Sequence, residues 1–141
     1  MIPASLLFSI GAATASAAPG ATPGALAQAV FDAFTRHDAA ALAALYAEDA
    51  RLTSSDFCGP RVGRAEIMRT YRALFGRFPD IHDEVRDTVV DGDRVAVRFV
   101  AESGQDGVRL ALPIATFLTV RDGLIQADDS TFDTAGRACE P

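Results

Sequence analysis

Two adjacent carboxylates, Asp128 and Asp129, stand in the middle of the stretch LIQADDSTFD near the C-terminus. A carboxyl group in an apolar pocket can serve as a general acid or base, and two together raise the prospect of a catalytic dyad. The stretch reads as a strand, however, and neighbouring residues on a strand point to opposite faces. We therefore expect one carboxylate to point towards whatever the sheet covers and the other to point away from it.

Few other residues have the chemistry of a site. His37 ends a predicted helix, where a cation suits the helix dipole. His82 stands near Asp80, Asp83 and Glu84 at the start of a predicted strand, which is more typical of a solvated edge than of a metal cluster. Tyr46 and Tyr71 fall on apolar helix stripes and are interpreted as core. No serine-hydrolase, zinc-protease or P-loop pattern occurs in the sequence. We predict no metal site and no cofactor.

The two cysteines, Cys58 and Cys139, lack the spacings of redox and zinc sites. In an oxidising compartment such a pair favours a disulfide, which here would tie the C-terminal tail to an upstream loop. Two unrelated thiols are the alternative.

The first charged residue of the chain is Asp32. An early apolar run followed by Ala15-Ser16-Ala17 is typical of a signal-peptidase site, although the usual Lys or Arg before it is missing. The run is too short to span a membrane as a helix. We predict a signal peptide over 1–17, a flexible Ala/Pro/Gly leader over 18–24, and a secreted or periplasmic location. A cytoplasmic protein with an unstructured leader is the alternative.

A length of 141 residues with 49% apolar and 23% charged residues predicts one globular domain, which we place at 25–134, with a tail at 135–141. The net charge of −6 argues against nucleic acid or an anionic membrane as the partner, since both need a basic face.

The hydrophobic periodicity changes from helical to alternating along the chain. It predicts helices over GALAQAVFDAFTRHD, AAALAALYAED and RAEIMRTYRALFGRFPD, with Asp38 as the N-cap of the second, and a short strand at ARLTSS. Four strands follow, IHDEVRDTVV, RVAVRFVAESG, VRLALPIATFLTV and LIQADDSTFD, with hairpin turns at Asp91-Gly92 and Asp122-Gly123. The predicted fold class is α+β, with three N-terminal helices packed on a strongly curved, mainly antiparallel sheet.

Four stretches in order, VFDAFTRHDAAALAALYAEDARL, GRAEIMRTYRALFGRFPDI, VVDGDRVAVRF and VRDGLIQADDSTFD, resemble the SnoaL-like branch of the nuclear transport factor two-like (ketosteroid isomerase-like) superfamily. The resemblance runs from Ala25 to Asp133. It implies a cone-shaped, cystatin-like roll around a pocket and a homodimer paired through the outer face of the sheet.

The resemblance does not bring a mechanism with it. Ketosteroid isomerases need a Tyr and two Asp, at positions that Val30, Ser54 and Ala115 occupy here. Limonene epoxide hydrolases use an Asp-Arg-Asp set, of which only Arg98 matches. Neither set of catalytic groups is complete in this chain.

The resemblance also implies which residues line the pocket. The implied set is Ala96, Arg98, Val100, Glu102, Pro113, Ala115, Phe117, Asp128, Ser130 and Phe132, with Ser54 on the first strand. Asp129 and Thr131 would face outwards. One bulge or a one-residue gap would reverse every face, because the side-chain period of a strand is two.

Three functions fit this arrangement. The first is binding of a small apolar or amphipathic molecule, with Phe117, Phe132 and Pro113 as walls and Arg98, Asp128 and Ser130 at its polar end. The second is a cofactor-free isomerase, cyclase or hydrolase with Asp128 as acid/base beside Arg98. The third is a non-catalytic interaction module. A purely structural Arg98–Asp128 ion pair is the alternative to a site at these residues.

Overall fold

The computed structural model describes residues 20–105 and 107–141. Its elements are α1 (Pro23–Thr35), α2 (Ala39–Ala44), β1 (Tyr46–Ser54), β2 (Arg61–Val62), α3 (Arg64–Arg77), β3 (His82–Asp91), β4 (Arg94–Gln105), β5 (Val108–Arg121) and β6 (Leu124–Thr131). No helix in these two ranges is long and apolar enough to cross a membrane. The predicted signal peptide over 1–17 lies outside the described residues.

The first two helices begin where the sequence places their caps. Thr22 accepts a hydrogen bond from the backbone N–H of Ala25 at 3.2 Å and precedes Pro23, a residue suited to the first helical position. Asp38 accepts from the N–H of Ala41 at 2.9 Å, as expected for the N-cap of α2. These caps satisfy backbone donors that a helix start leaves unpaired.

The second helix ends earlier than its pattern predicts. It stops at Ala44, and the residues from Tyr46 onward form β1 rather than a last helical turn. The backbone N–H of Ile125 donates to the carbonyl of Leu45 at 2.9 Å, and Tyr46 pairs in parallel with Ile125. Pairing with a distant strand therefore overrides the local helical preference of LYAED.

The six strands form one sheet in the order β2-β1-β6-β5-β4-β3. All neighbours are antiparallel except β1 and β6, which run parallel. The loop between β5 and β6 has Asp122 at φ 52° and Gly123 at φ 71°, the conformation that a two-residue hairpin turn requires. The predicted α+β fold, with helices packed on a curved, mainly antiparallel sheet, is confirmed.

The helices cover one face of the sheet and form the core with it. Phe31 of α1 packs edge-on against Phe99 of β4, with ring centroids 5.1 Å apart. The buried residues of β4 are Val95, Val97, Phe99, Ala101 and Ser103. The opposite face of the sheet leaves large apolar side chains exposed, among them Val89 and Phe117.

A disulfide joins Cys58 to Cys139, whose Cα atoms are 4.9 Å apart, so the predicted bridge is present. The backbone beside it is paired as well, since the N–H of Cys58 donates to the carbonyl of Glu140 at 2.8 Å. Arg77 at the end of α3 donates to the Glu140 carboxylate at 2.9 Å. The C-terminal tail is therefore held against the loop that follows β1.

Candidate functional site

The two adjacent carboxylates lie in different environments. Asp128 is 4% exposed and faces the helices, whereas Asp129 is exposed and accepts a hydrogen bond from the hydroxyl of Thr53. The expected split of the pair, with Asp128 inward and Asp129 outward, is what the structure shows. The two carboxyl groups therefore do not form a dyad.

Asp128 is held by hydroxyl groups on both of its oxygens. The Tyr46 hydroxyl donates to Oδ2 at 2.6 Å, and the Thr116 hydroxyl donates to Oδ1. Each donor has a neighbour, since the Ser130 hydroxyl donates to Thr116 Oγ1 at 3.0 Å and the Tyr71 hydroxyl lies 3.0 Å from that of Tyr46. We call these five residues the Asp128 network.

Four elements bring the network together. Tyr46 begins β1, Thr116 lies on β5, Asp128 and Ser130 share one face of β6, and Tyr71 lies on α3. Thr116 and Ser130 are direct cross-strand partners, which places their hydroxyls side by side. The carbonyl of Tyr46 accepts from both Nε and Nη2 of Arg64, at 2.9 and 2.8 Å, so the start of β1 is fixed to α3.

Burial sets the protonation states of the network. Burial raises the pKa of the Asp128 carboxyl, and the hydrogen bonds from Thr116 and Tyr46 oppose that rise. Burial also raises the pKa of the Tyr46 and Tyr71 hydroxyls, and the negative charge of Asp128 adds to it in both. Both tyrosines therefore keep their protons at neutral pH.

The network can transmit a proton or a change of hydrogen-bond direction. With Asp128 ionised, Tyr46 donates to the carboxylate and Tyr71 can donate to Tyr46. With Asp128 protonated on Oδ2, the carboxyl can donate to Tyr46 and Tyr46 to Tyr71, so the Tyr71 proton becomes available to a ligand. Asp128 and Tyr46 stay hydrogen-bonded in either direction, whereas the second direction leaves the Tyr71 proton for an acceptor on a ligand.

The expected position of Arg98 beside Asp128 is wrong. The Arg98 side chain is 68% exposed and its guanidinium donates to Asp87 on β3. It lies on the face of the sheet that the helices do not cover. The structure thus contains no Arg98–Asp128 pair, either as a structural ion pair or as part of a site.

The other residues of β4 and β5 that were expected to point into the pocket also lie on the opposite face of the sheet. Pro113 and Phe117 are exposed, Phe117 by 44%, and the buried residues of β5 are their neighbours Thr116, Leu118 and Val120. On β4 the buried residues likewise alternate with Ala96, Arg98, Val100 and Glu102. All seven residues that were expected to point inward on these strands therefore lie on the face that the helices do not cover.

A bulge in β6 explains why Asp128 has the expected facing and its neighbours on β5 do not. Thr119 pairs with Ala127 but Val120 pairs with Ile125, so Gln126 is an extra residue in β6. Asp128 therefore stands opposite Leu118 instead of Phe117. Without this bulge, Phe117 and Asp128 would face each other and share one side of the sheet.

Of the other expected ligand-binding residues, only Ser130 joins the network. The Ser54 hydroxyl donates to Asp56 at 2.6 Å, beside the network but outside it. Phe132 is half-buried beyond the end of β6, where its N–H donates to the Ser55 hydroxyl at 2.9 Å. The expected apolar walls at Phe117 and Pro113 are therefore absent from this side of the sheet.

Three members of the network were not expected from the sequence, namely Tyr46, Tyr71 and Thr116. Tyr46 is indeed core, at 0% exposure, but its hydroxyl needs a partner once buried and finds Asp128. The contact between Tyr46 and Asp128 could have been predicted, because a buried tyrosine hydroxyl needs a partner and Asp128 was expected on an inward strand face. Thr116 gives no such signal, because threonine is common in strands.

Asp83 is a second inward carboxylate, although it was expected to lie on a solvated edge. It is half-buried, and its Oδ1 is the one buried side-chain oxygen or nitrogen without a hydrogen-bond partner in the part of the chain described. Burial raises the pKa of Asp83 to about 7, and the neighbouring His82 opposes that rise. His82 itself is exposed and lies 3.4 Å from the Glu102 carboxylate.

A surface groove of about 580 Å³ opens where the ends of α1, α2 and α3 meet. It is lined by Arg36, His37, Asp38, Ala39, Ala40, Arg72 and Phe75. His37 stacks on Phe75 at 4.5 Å and its Nε2 lies 2.6 Å from the Ile81 carbonyl, so its ring is held in place. The groove contains no member of the Asp128 network. No cluster of three potential metal ligands occurs in residues 20–105 and 107–141.

The model of the SnoaL-like domain matches residues 27–127, which include β1, α3 and most of the sheet. The chain belongs to the SnoaL-like domain family. No curated protein matches it in sequence.

Solved structures share the SnoaL-like fold. Wild-type IdmH, a putative polyketide cyclase from Streptomyces antibioticus, matches with a TM-score of 0.72 and 26% identity over 82% of this chain and 94% of that one. A Catenulispora acidiphila protein with a ketosteroid isomerase-like fold, in complex with trimethylamine, has a TM-score of 0.72 and 22% identity over 77% and 85%. A putative SnoaL-like polyketide cyclase from Jannaschia sp. CCS1 matches with a TM-score of 0.71 and 18% identity over 80% of this chain and 86% of that one.

Proposed function

We propose that this SnoaL-like protein binds a small, mostly apolar molecule inside its cone, with the Asp128 network as the polar end of the site. The observation that carries the proposal is a buried carboxylate that hydroxyl groups hold on both oxygens, within an apolar interior. Such convergent polar groups amid apolar side chains are typical of ligand sites. The complex of the Catenulispora acidiphila protein with trimethylamine supports this, since that protein shares the fold.

Tyr71 is the group of the network that we expect the ligand to contact. It is partly exposed, whereas Tyr46 and Asp128 are buried. A ligand hydrogen-bonded to the Tyr71 hydroxyl would be connected to Asp128 by a chain of hydrogen bonds through Tyr46. Arg98, which lies on the opposite face of the sheet, takes no part.

The experiment is an NMR titration of the uniformly ¹⁵N-labelled protein with phenol and with anisole. We expect saturable shifts at Tyr71 and Thr116, with the surface groove at Arg36 and Arg72 unaffected. Shifts confined to that groove, or the absence of any saturable shift, would contradict binding inside the cone.

A second candidate is a cofactor-free acid/base enzyme, and two proteins of the same fold are named as putative polyketide cyclases. The upward shift of the Asp128 pKa on burial and the hydroxyls connected to it favour this function, because a raised pKa suits a carboxyl group to acid/base catalysis. On any substrate that the protein turns over, Asp128→Asn should reduce kcat by about 10² or more. Asp129→Asn, which removes the same charge on the outer face, is the control. A fully active Asp128→Asn protein would leave only the binding function.

We also propose a homodimer paired through the outer face of the sheet. Val89, Ala96 and Phe117 stand side by side across β3, β4 and β5, and Val89 and Phe117 are 63% and 44% exposed. Phe117→Asp should convert a dimer to a monomer in sedimentation velocity, and Val108→Asp, at the end of β5, should not. A wild-type monomer at high concentration would contradict the homodimer and leave, for an interaction module at this face, only pairing with another protein.

Export is proposed on two grounds, the disulfide and the leader sequence. A disulfide is expected in secreted and periplasmic proteins and is rare in the cytosol. N-terminal sequencing of the protein from its native host should begin at Ala18. A mature chain that begins at Met1 would contradict export by a cleaved signal peptide.

A further inference from the structure

Asp83 is the feature of the interior that the Asp128 network does not explain. It lies on β3 opposite Ala101, which is buried, while its neighbours His82 and Glu84 are exposed. Because side chains alternate along a strand, Asp83 points to the covered side of the sheet.

The Asp83 carboxyl is close enough to Tyr71 for its charge to act on the Tyr71 hydroxyl. The charges of both carboxylates act on the Tyr71 hydroxyl and raise its pKa. Asp128 reaches Tyr71 through Tyr46, at 2.6 and 3.0 Å, whereas Asp83 has no such connection. Two acidic groups therefore act on the Tyr71 end of the network.

The missing partner of Asp83 Oδ1 is the second observation. More than nine in ten buried polar groups in proteins are hydrogen-bonded, and an unmatched one costs free energy. No side chain or backbone group in the described ranges donates to this oxygen. A position with an unused acceptor, next to the proposed ligand contact at Tyr71, is suited to a donor carried by a ligand.

Neither His82 nor Arg98, two basic side chains of the sheet, forms an ion pair with Asp83. His82 is exposed beside Glu102, and Arg98 pairs with Asp87 on the outer face. At a pH where Asp83 is ionised, a ligand that enters beside it therefore meets a negative charge, which opposes an anion and favours a donor.

We propose that Asp83 is a ligand-contact residue whose Oδ1 accepts a hydrogen bond from the ligand, so that the site selects neutral hydroxyl compounds or protonated amines and rejects carboxylates. This deepens the proposed binding function and rests on it. Asp83 would set specificity at one side of the ligand, while the Tyr71 hydroxyl contacts the other.

The test uses four probes of similar size, which are phenol, anisole, benzoate and benzylammonium. Affinities are measured by NMR titration at about pH 8, where Asp83 is ionised. For the wild type we expect phenol and benzylammonium to bind about tenfold or more tighter than anisole, because a hydrogen bond to a charged acceptor is stronger than a contact without one. Benzoate should bind most weakly of the four.

Two variants separate acceptor from charge. Asp83→Leu removes the acceptor and should abolish the preference for phenol over anisole. Asp83→Asn keeps an acceptor oxygen but removes the charge, and should improve benzoate binding about tenfold. Glu84→Gln removes the same charge from the neighbouring, outward position and should change neither ratio.

The outcomes distinguish this inference from the proposed function. If anisole binds with shifts at Tyr71 and Thr116 but phenol shows no advantage, or if Glu84→Gln reproduces the gain for benzoate, the role of Asp83 is refuted and the binding function stands. If none of the four probes shifts those residues, both are refuted.

Discussion

Replacement of Asp83 by Asn should make the protein more stable at alkaline pH, by an amount that depends on pH. In the folded protein, burial raises the pKa of this carboxyl from 3.8 to about 7. Between these values the folded state keeps a proton that the unfolded state has released. Stability therefore falls as pH rises through this window, and asparagine, which does not titrate, removes that loss.

The size of the effect follows from the two pKa values. One pH unit of difference corresponds to about 1.4 kcal/mol, so the full cost of ionising Asp83 in the folded protein is up to about 4 kcal/mol. From about pH 5 to about pH 8 the stability advantage of Asp83→Asn should grow by up to about 3 kcal/mol, because most of the titration falls there. Since Asp83 is only half-buried, solvent reduces this, and we expect about 2 kcal/mol.

The assay is urea unfolding of both proteins at about pH 5 and about pH 8, with the disulfide intact. The difference between variant and wild type isolates Asp83, because Asp128, whose pKa is also raised, titrates in both proteins. Glu84→Gln, at the exposed neighbouring position, serves as the control and should show no such widening. An Asn variant whose advantage is the same at both pH values, or that is less stable at about pH 8, would refute this account of Asp83.

Three further perturbations test the rest of the structure. Tyr46→Phe leaves one oxygen of buried Asp128 without its donor, so we expect a loss of about 1–3 kcal/mol in urea unfolding and a higher pKa of Asp128 by NMR; unchanged stability would contradict the network. The double substitution of Cys58 and Cys139 by Ser should lower stability by up to about 4–5 kcal/mol on the chain-entropy estimate, and no loss would mean that the tail contributes little. Arg98→Ala should change stability by less than about 1 kcal/mol and leave the titration of Asp128 unchanged, since the exposed Arg98 pairs on the outer face.

Elements and their order could be predicted from the sequence because their signals are local. The Asp38 cap, the Asp122-Gly123 turn and the alternation of β4 each lie within a few residues, and each has the predicted conformation. The end of α2 could not be predicted in this way. Tyr46 leaves the helical pattern to pair with Ile125, and that partner is remote in sequence.

The composition of the site was harder to predict because strand faces depend on bulges. The single extra residue at Gln126 changes the partner of Asp128 from Phe117 to Leu118, and no residue type marks it in the sequence. The expected contribution of Arg98 was lost for the same reason. The inward facing of Asp128 was implied by the resemblance to the SnoaL-like branch, and the structure confirms it.

The central place of β6 in the sheet has a consequence for how the molecule is made. β6 is synthesised after the other five strands described, yet it lies between β1 and β5 and pairs with both. The hydrogen bond between Tyr46 and Asp128 joins residues 82 positions apart. Contacts of such separation are slow to form, since the loop between them must close first. A chain truncated before β6 would expose β1 and β5 as open edges, which are prone to aggregate. The Asp128 network can therefore form only after β6 has been synthesised.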